Sequence, residues 1–426
     1  MYTRLTKIYK ILIISIFCII FTQSIYAIGF LIPMDNSQRN HLKAYGITYW
    51  VLQNNFEAQW LLNYRGGSFL FEYNERIKQE CDIRGVSYEI IPDARVNAII
   101  SQVSHEDENM DIVKLEKAPR IAVYSPKDKL PWDDAVTLGL TYAEITYDVI
   151  YDEEIIRGEL SKYDWLHLHH EDFTGQYGKF YASYRNAPWY IEQVANAEAQ
   201  AKAFGFQKVS QLKLHVAKTI KTYIENGGFL FAMCSGTDSF DVALAAEGTD
   251  ICDVMFDGDP ADPQAQNKLD FSKTLAFQNF TLVTNPFEYE FSDIDVTDTR
   301  KVKDNEDFFT LFEFSAKWDP VPTMLCQNHT VVVRGFMGQT TAFRKSLIKP
   351  TVIIMGENSA HDEARYIHGT HGKGTWTFYG GHDPEDYRHY VGDPPTNLDN
   401  HKNSPGYRLI LNNVLFPAAK KKPRKT

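Results

Sequence analysis

Residues 227–248 read GGFLFAMCSGTDSFDVALAAEG and set a cysteine at the abrupt junction of a buried strand and a helix. A Gly-Gly turn leads into the apolar run Phe229–Met233, and Ala232 and Gly236 flank Cys234 two residues away on either side. A sharp strand-to-helix turn demands such neighbours, because bulky side chains would collide across it. The following helix aims its free amides and the positive end of its dipole at the sulfur. That arrangement belongs at the carboxyl edge of a parallel sheet, where side chains from several strands share one crevice.

The flanking sequence supplies such a sheet. RIAVYSP, YDVIYD, YDWLHLHHEDF, TVIIMGEN and GTWTFYGGHDPEDY read as strands, and DDAVTLGLTYAEI, EEIIRGEL, VSQLKLHVAKTIKTYIENGG and PGYRLILNNVLF read as helices. This rhythm predicts an α/β fold, with an open, mostly parallel sheet and helices on both faces. TVVVRGF and TTAFRKSLI suggest an antiparallel insertion within about 250–350. Residues 28–118 also alternate strands and helices, and the polar loop HEDENMD closes them. The expected divisions are a leader at 1–27, an N-terminal α/β region at 28–118, the main α/β domain at 119–418 and a basic tail at 419–426.

The chain has 426 residues, 44% hydrophobic and 23% charged, which is ample for a large core. Its net charge of −11, with no long basic stripe, argues against nucleic-acid binding. At the N-terminus, Arg4, Lys7 and Lys10 precede the apolar ILIISIFCIIF, and TQSIYA ends on a small residue. That order predicts a secretory signal peptide cleaved near Ala27, with no stable membrane span left afterwards and a periplasmic or otherwise exported product. Cys81, Cys252 and Cys326 read as buried thiols or as one disulfide with a spare.

A thiol nucleophile needs a base, and the base needs a carboxylate to fix its tautomer. FYGGHDPEDY supplies His382 after an apolar strand, with Asp383 and Glu385 close behind. The amides around Ser235 and Gly236 could receive an oxyanion. A second cluster, HLHHED, places His167 and His169 on one face of a strand, with His170, Glu171 and Asp172 in the loop beyond. His169, His170 and Glu171 could contact substrate. Nitrogen and carboxylate donors also suit a divalent metal, with His167, His169, His170, Glu171 and His371 as candidate ligands. The aromatic run FTGQYGKFYASYRNAPWY, 173–190, reads as a lid or a saccharide platform.

A cysteine elbow followed far along the chain by a strand and GHDPE resembles the class I glutamine amidotransferase-like superfamily. HGKGTWTFYGGHDPEDY through YRLILNNVLF resembles its trehalose-utilisation (ThuA-like) branch. Across roughly 119–418 the resemblance implies a flavodoxin-like fold, with Cys234 as nucleophile, His382 as base and Glu385 as orienting acid. The chain departs from the pattern in three places. Ala232 replaces the first elbow glycine, two residues separate His382 from Glu385 so that Asp383 is a rival acid, and HLHHED stands where the family has a Gly-Gly oxyanion loop. From FLIPMD and NHLKAYGITYWVL onward, the whole chain also resembles exported Bacteroidetes proteins labelled asparagine synthetase B.

These readings converge on an exported cysteine hydrolase acting on a small-molecule amide or related acyl bond, without a cofactor. Two alternatives are a ThuA-like protein that binds a saccharide or envelope component without catalysis, and a metal-dependent hydrolase built on the histidine cluster.

Overall fold

The structure, a computed structural model, describes residues 28–126, 131–319 and 328–419. The expected signal peptide, Cys326 and residues 420–426 of the basic tail lie outside the described residues.

The strands form two sheets, and this corrects the expected architecture. The first has the order β4-β1-β3-β2-β5, made of β1 (Ile28–Ile32), β2 (Ala58–Leu62), β3 (Ser68–Glu72), β4 (Glu89–Pro92) and β5 (Asp111–Leu115). Each of its pairings is antiparallel. The second sheet is mixed. Its parallel part runs β7-β6-β8-β9-β15, made of β6 (Ile121–Tyr124), β7 (Asp148–Ile150), β8 (Trp165–Leu168), β9 (Phe229–Met233) and β15 (Gly374–Tyr379). It continues through antiparallel β14 (Glu363–His371), β13 (Ile353–Asn358), β10 (Phe308–Leu311) and β11 (Val332–Arg334), with β12 (Phe343–Arg344) paired to β14. Antiparallel pairings therefore outnumber parallel ones, and an open, mostly parallel, flavodoxin-like sheet is not what the chain forms.

Connection length accounts for the hairpins β2–β3 and β14–β15, while β1–β3, β1–β4 and β2–β5 pair antiparallel across longer connections. A parallel pair needs a crossover of a dozen or more residues, whereas adjacent antiparallel strands need only a tight turn. Residues 63–67 join β2 to β3, and Asn63, Arg65, Gly66 and Gly67 all have positive φ there. Gly372 (φ +59) turns β14 into β15, and a Cβ there would sit 2.6 Å from Glu225 O. Strand and helix patterning is the same in both sheets, so periodicity alone does not separate them.

Between the sheets lies one continuous core. Helices α1 (His41–Gln53), α4 (Ala135–Tyr142) and α8 (Pro405–Leu415) occupy this layer, with α2 (Glu75–Arg84) packed on α1 through the same core; α3 (Asp93–Ser104) covers the other face of the first sheet. α1 is apolar around most of its circumference, which suits a helix covered on all sides. A Cβ on Gly46 would lie 1.8 Å from Ala143 O, so the α1–α4 approach requires glycine there. The opposite face is covered by α5 (Pro188–Ala203), α6 (Val209–Glu225) and α7 (Ser235–Ala245). In α6 the buried Leu212, Val216, Ile220, Tyr223 and Ile224 recur at helical spacing. All five residues of β9 are buried, as expected of a central strand covered on both faces. Among the described residues no helix is long and apolar enough to cross a membrane.

Since β8, β9 and β15 are parallel neighbours, their carboxyl ends emerge side by side. His169 and His170, Cys234, and His382 follow these three ends.

Candidate functional site

Cys234 joins β9 to α7 with φ +49 and ψ −141. Positive φ is costly for a residue with a side chain, and such strain gathers at functional sites. Burial pushes the Cys234 thiol up to about 12, against an opposing pull from the backbone amides of Ser235 and Gln339 facing the sulfur. The Gly236 amide is not available to an oxyanion. It donates to His169 O at 2.7 Å, and a Cβ on Gly236 would come within 2.9 Å of that oxygen. Ser235 contributes its amide, while its hydroxyl is buried without a partner among the described residues.

The second amide at the sulfur comes from a loop that sequence reasoning did not single out. Gln339 sits in Gly338–Thr341, where Thr340 (φ +58) bonds Asp238 through its hydroxyl (2.8 Å) and Asp295 through its amide (2.9 Å). A Cβ on Gly338 would meet His382 N at 2.7 Å, so this loop also packs against the His382 turn.

One nitrogen from each of His169, His170 and His382 and the Cys234 sulfur all lie within 4.8 Å of one another. The His169 and His170 rings stack at 3.9 Å, and each centroid is 4.7 Å from that of His382. Burial holds His169 down at about 4 and His170 well below the usual range, so both are neutral at pH 7. His170 Nε2 donates to Asp133 O at 2.8 Å, leaving Nδ1 as its lone-pair nitrogen.

Two adjacent carboxylates back these rings. Asp134 Oδ1 lies 3.3 Å from His169 Nδ1, and Oδ2 lies 3.1 Å from His167 Nε2. Asp134 is also the N-cap of α4, accepting from Val136 N (2.7 Å) and Thr137 N (3.0 Å), which fixes where it points. Asp133 Oδ1 lies 3.8 Å from His382 Nε2 and 3.0 Å from His389 Nε2. Burial would raise Asp133, but the two imidazoles outweigh it and hold the carboxyl below its usual range. Sequence reasoning missed Asp133, Asp134 and His389. The one available signal was a double aspartate opening a helix.

The expected orienting acids lie elsewhere. Glu385 Oε2 pairs with His401 Nδ1 at 2.8 Å. Asp383 accepts from the Glu385 amide and the Tyr407 hydroxyl, both at 2.8 Å, so its carboxylate points along its own turn toward α8. His371 pairs with Gly374 at the opposite end of β15 from His382 and does not join the group; His361 is exposed and His368 bonds Thr377. His167 lies at the edge of the group, facing Asp134 through Nε2 and packing edge-on to His169 at 5.5 Å. Glu171, pushed up to about 8 by burial, accepts from the His169 amide at 3.2 Å and borders a neighbouring cavity.

That cavity measures about 320 Å³ and is lined by Trp132, Tyr151, His170, Glu171, Trp189 and Gln193, among others. The aromatic run at 173–190 forms part of its wall. Asp172 holds the start of the run through Thr174 N and Gly178 N.

No family model and no curated protein matches the chain. Among solved structures it is similar to two cytoplasmic proteins of Salmonella typhimurium, each 11% identical, with TM-scores of 0.35 and 0.34; each alignment covers 71% of this chain and 100% of the other. It is also similar to a beta-galactosidase from Bacillus circulans sp. alkalophilus, 9% identical, TM-score 0.26, covering 68% of this chain and 32% of that one. Likeness at this level carries neither an activity nor a family to this chain.

Proposed function

We propose that this protein is a metal-dependent hydrolase whose centre is held by His169, His170, His382 and Cys234, acting on an amide or related acyl bond of a small molecule in the adjoining cavity. One observation carries the reading: three imidazoles and a thiol offer four donor atoms within 4.8 Å of one another in a buried pocket. Metal ligation needs neutral imidazoles and a deprotonated thiol. Burial already keeps His169 and His170 neutral. A thiol pushed up to about 12 by burial is protonated at pH 7, but a coordinating cation deprotonates it outright. His169 Nε2 and His382 Nε2 have no hydrogen-bond partner among the described residues. Each buried orphan of this kind costs about 1–3 kcal/mol. A mixed nitrogen and sulfur donor set suits zinc and its softer first-row neighbours. A bound divalent ion would supply Lewis acidity beside the cavity.

The test is elemental analysis of the purified chain, followed by chelation and reconstitution with Zn²⁺ or Co²⁺. The expected result is one or more bound equivalents, a thiolate-to-cobalt charge-transfer band, and hydrolysis of anilide or ester probes that disappears on chelation. A chain that stays metal-free after dialysis against Zn²⁺ would sink the proposal.

The backbone of Cys234 favours a second reading, in which the thiol attacks directly, His382 is the base and Asp133 orients it. Positive φ and two amides at the sulfur are what an acyl-transfer elbow requires. Rapid alkylation of Cys234 near neutral pH in the metal-free protein would favour it. Export of either enzyme is supported by the basic, apolar and small-residue order of 1–27.

A further inference from the structure

His382 belongs to a second group of donors as well, formed with Asp133 and His389. The three side chains are 7%, 11% and 4% exposed. The His382 and His389 rings stack at 4.3 Å with 15° between their planes. His389 Nδ1 lies 2.9 Å from Asp386 Oδ2. That contact keeps the proton on Nδ1 and directs the Nε2 lone pair at Asp133 Oδ1, 3.0 Å away. Nε2 and a carboxylate oxygen at that distance need positive charge between them, from a proton or from a cation. A shared proton would leave hydrogen-bond geometry. Yet His389 Nε2, His382 Nε2 and both Asp133 oxygens are buried with no hydrogen-bond partner among the described residues.

We infer that Asp133 and His389, with His382 deprotonated to an imidazolate that gives one nitrogen to each ion, form a second divalent-cation subsite beside the first centre, making the site binuclear. This rests on the metal reading above. Charge supports it: Asp133, Asp134, Asp386, a Cys234 thiolate and the His382 imidazolate bring five negative charges to the cluster against four positive charges on two divalent cations. The donor sets differ in kind. Three imidazoles and a thiolate would fill four positions at the first ion, which would take a substrate oxygen only as a fifth ligand, whereas two imidazoles and one carboxylate leave a position open for water or substrate.

Titration of the metal-free full chain with Zn²⁺ against a chromophoric chelator, and with Co²⁺ by absorbance, tests this. The wild type should take two equivalents. His389→Ala and His389→Gln should each take one, with the thiolate-to-cobalt band intact. Asp386→Asn should keep two but bind the second roughly 10–100-fold more weakly. One equivalent in the wild type, unchanged in the His389 variants, overturns the second subsite and leaves the first centre standing. No equivalents in any chain overturns both. Loss of both equivalents in a folded His389→Gln protein, judged by circular dichroism, also overturns a separate subsite.

Discussion

Among the described residues three pairs of imidazoles stack, and two of them, His41–His329 and His169–His170, are backed by opposite charge. His41 and His329 stack at 4.4 Å and 14°, much as His169 and His170 stack at 3.9 Å and 11°. Burial lowers all four, His41 to about 4 and His329 to about 3. Behind the first pair stands Arg408, fully buried, with Nη1 3.0 Å from His329 Nδ1 and 3.0 Å from Met34 O. Its Nε donates to Tyr45 at 3.0 Å, and Nη2 donates to Gly66 O. A fixed cation already occupies that position and disfavours another. Beside the second pair stands Asp134, and Asp133 backs the neighbouring His382. Stacked imidazoles therefore do not mark a site by themselves; the sign of the charge beside them does.

The largest effect should come from exchanging what holds each pair. Arg408→Ala leaves the Gly66 carbonyl without its donor, at about 1–3 kcal/mol for a buried group left unpaired, and opens a cavity in the core, while Met34 O keeps His41 Nε2 and the Tyr45 hydroxyl keeps Asn412 Oδ1. Urea unfolding should show a loss of about 3 kcal/mol or more, with metal stoichiometry unchanged. His169→Ala should do the reverse, keeping most of the metal-free stability and losing more than about 100-fold in Zn²⁺ affinity, beyond the usual cost of removing a group behind a ligand. If Arg408→Ala loses metal and His169→Ala keeps it, the contrast between the pairs is wrong.

Next in size is stabilisation by the metal itself. Free Zn²⁺ at 100 times its dissociation constant should raise wild-type stability by about 2.7 kcal/mol and leave His169→Ala where it was. Asp134→Asn follows. Asparagine keeps the helix cap, so stability should move little, but the neutral side chain should weaken Zn²⁺ binding about 10–100-fold. Equal affinity in Asp134→Asn and wild type would show that the carboxylate charge is irrelevant.

What could be read in the sequence was local. The run Phe229–Met233 and the small residues around Cys234 mark a strand-to-turn junction because the chain must satisfy that geometry within a few residues. Sheet direction depends on which distant strands meet, so β1 to β5 carried the same patterning as a parallel unit while pairing antiparallel. The acid beside His382 was sought in the adjacent Asp383 and Glu385, yet their own turn sends them to Tyr407 and His401. Asp133 enters from roughly 250 positions earlier in the chain, and the N-cap of α4 presents as an ordinary helix start until β8 and β15 are placed beside it. His371 shares a strand with His368 but turns at the wrong end of the hairpin.

The smallest effect concerns protons at the Arg408 pair. His41 falls from an ordinary 6.5 to about 4 in the folded chain, through burial first and the Arg408 charge second, against weaker support from the Met34 carbonyl. The groups facing it are His329, stacked on its ring, Arg408, which also presses on His329, and the neutral Asn403; among the described residues no carboxylate balances them in the way Asp134 balances His169. The folded value lies below the unfolded one, so the stability is fully present above pH 6.5 and is lost as pH falls toward 4. Between pH 6.5 and 5.5 that amounts to about 1 kcal/mol from His41 alone. Urea unfolding of metal-free wild type and His41→Gln at those two pH values isolates it: the wild type should lose about 1 kcal/mol more than the variant. Equal losses would mean that the Arg408 pair takes up protons as readily folded as unfolded, and the guanidinium could not then be the cation that sets this pair apart from the one beside Cys234.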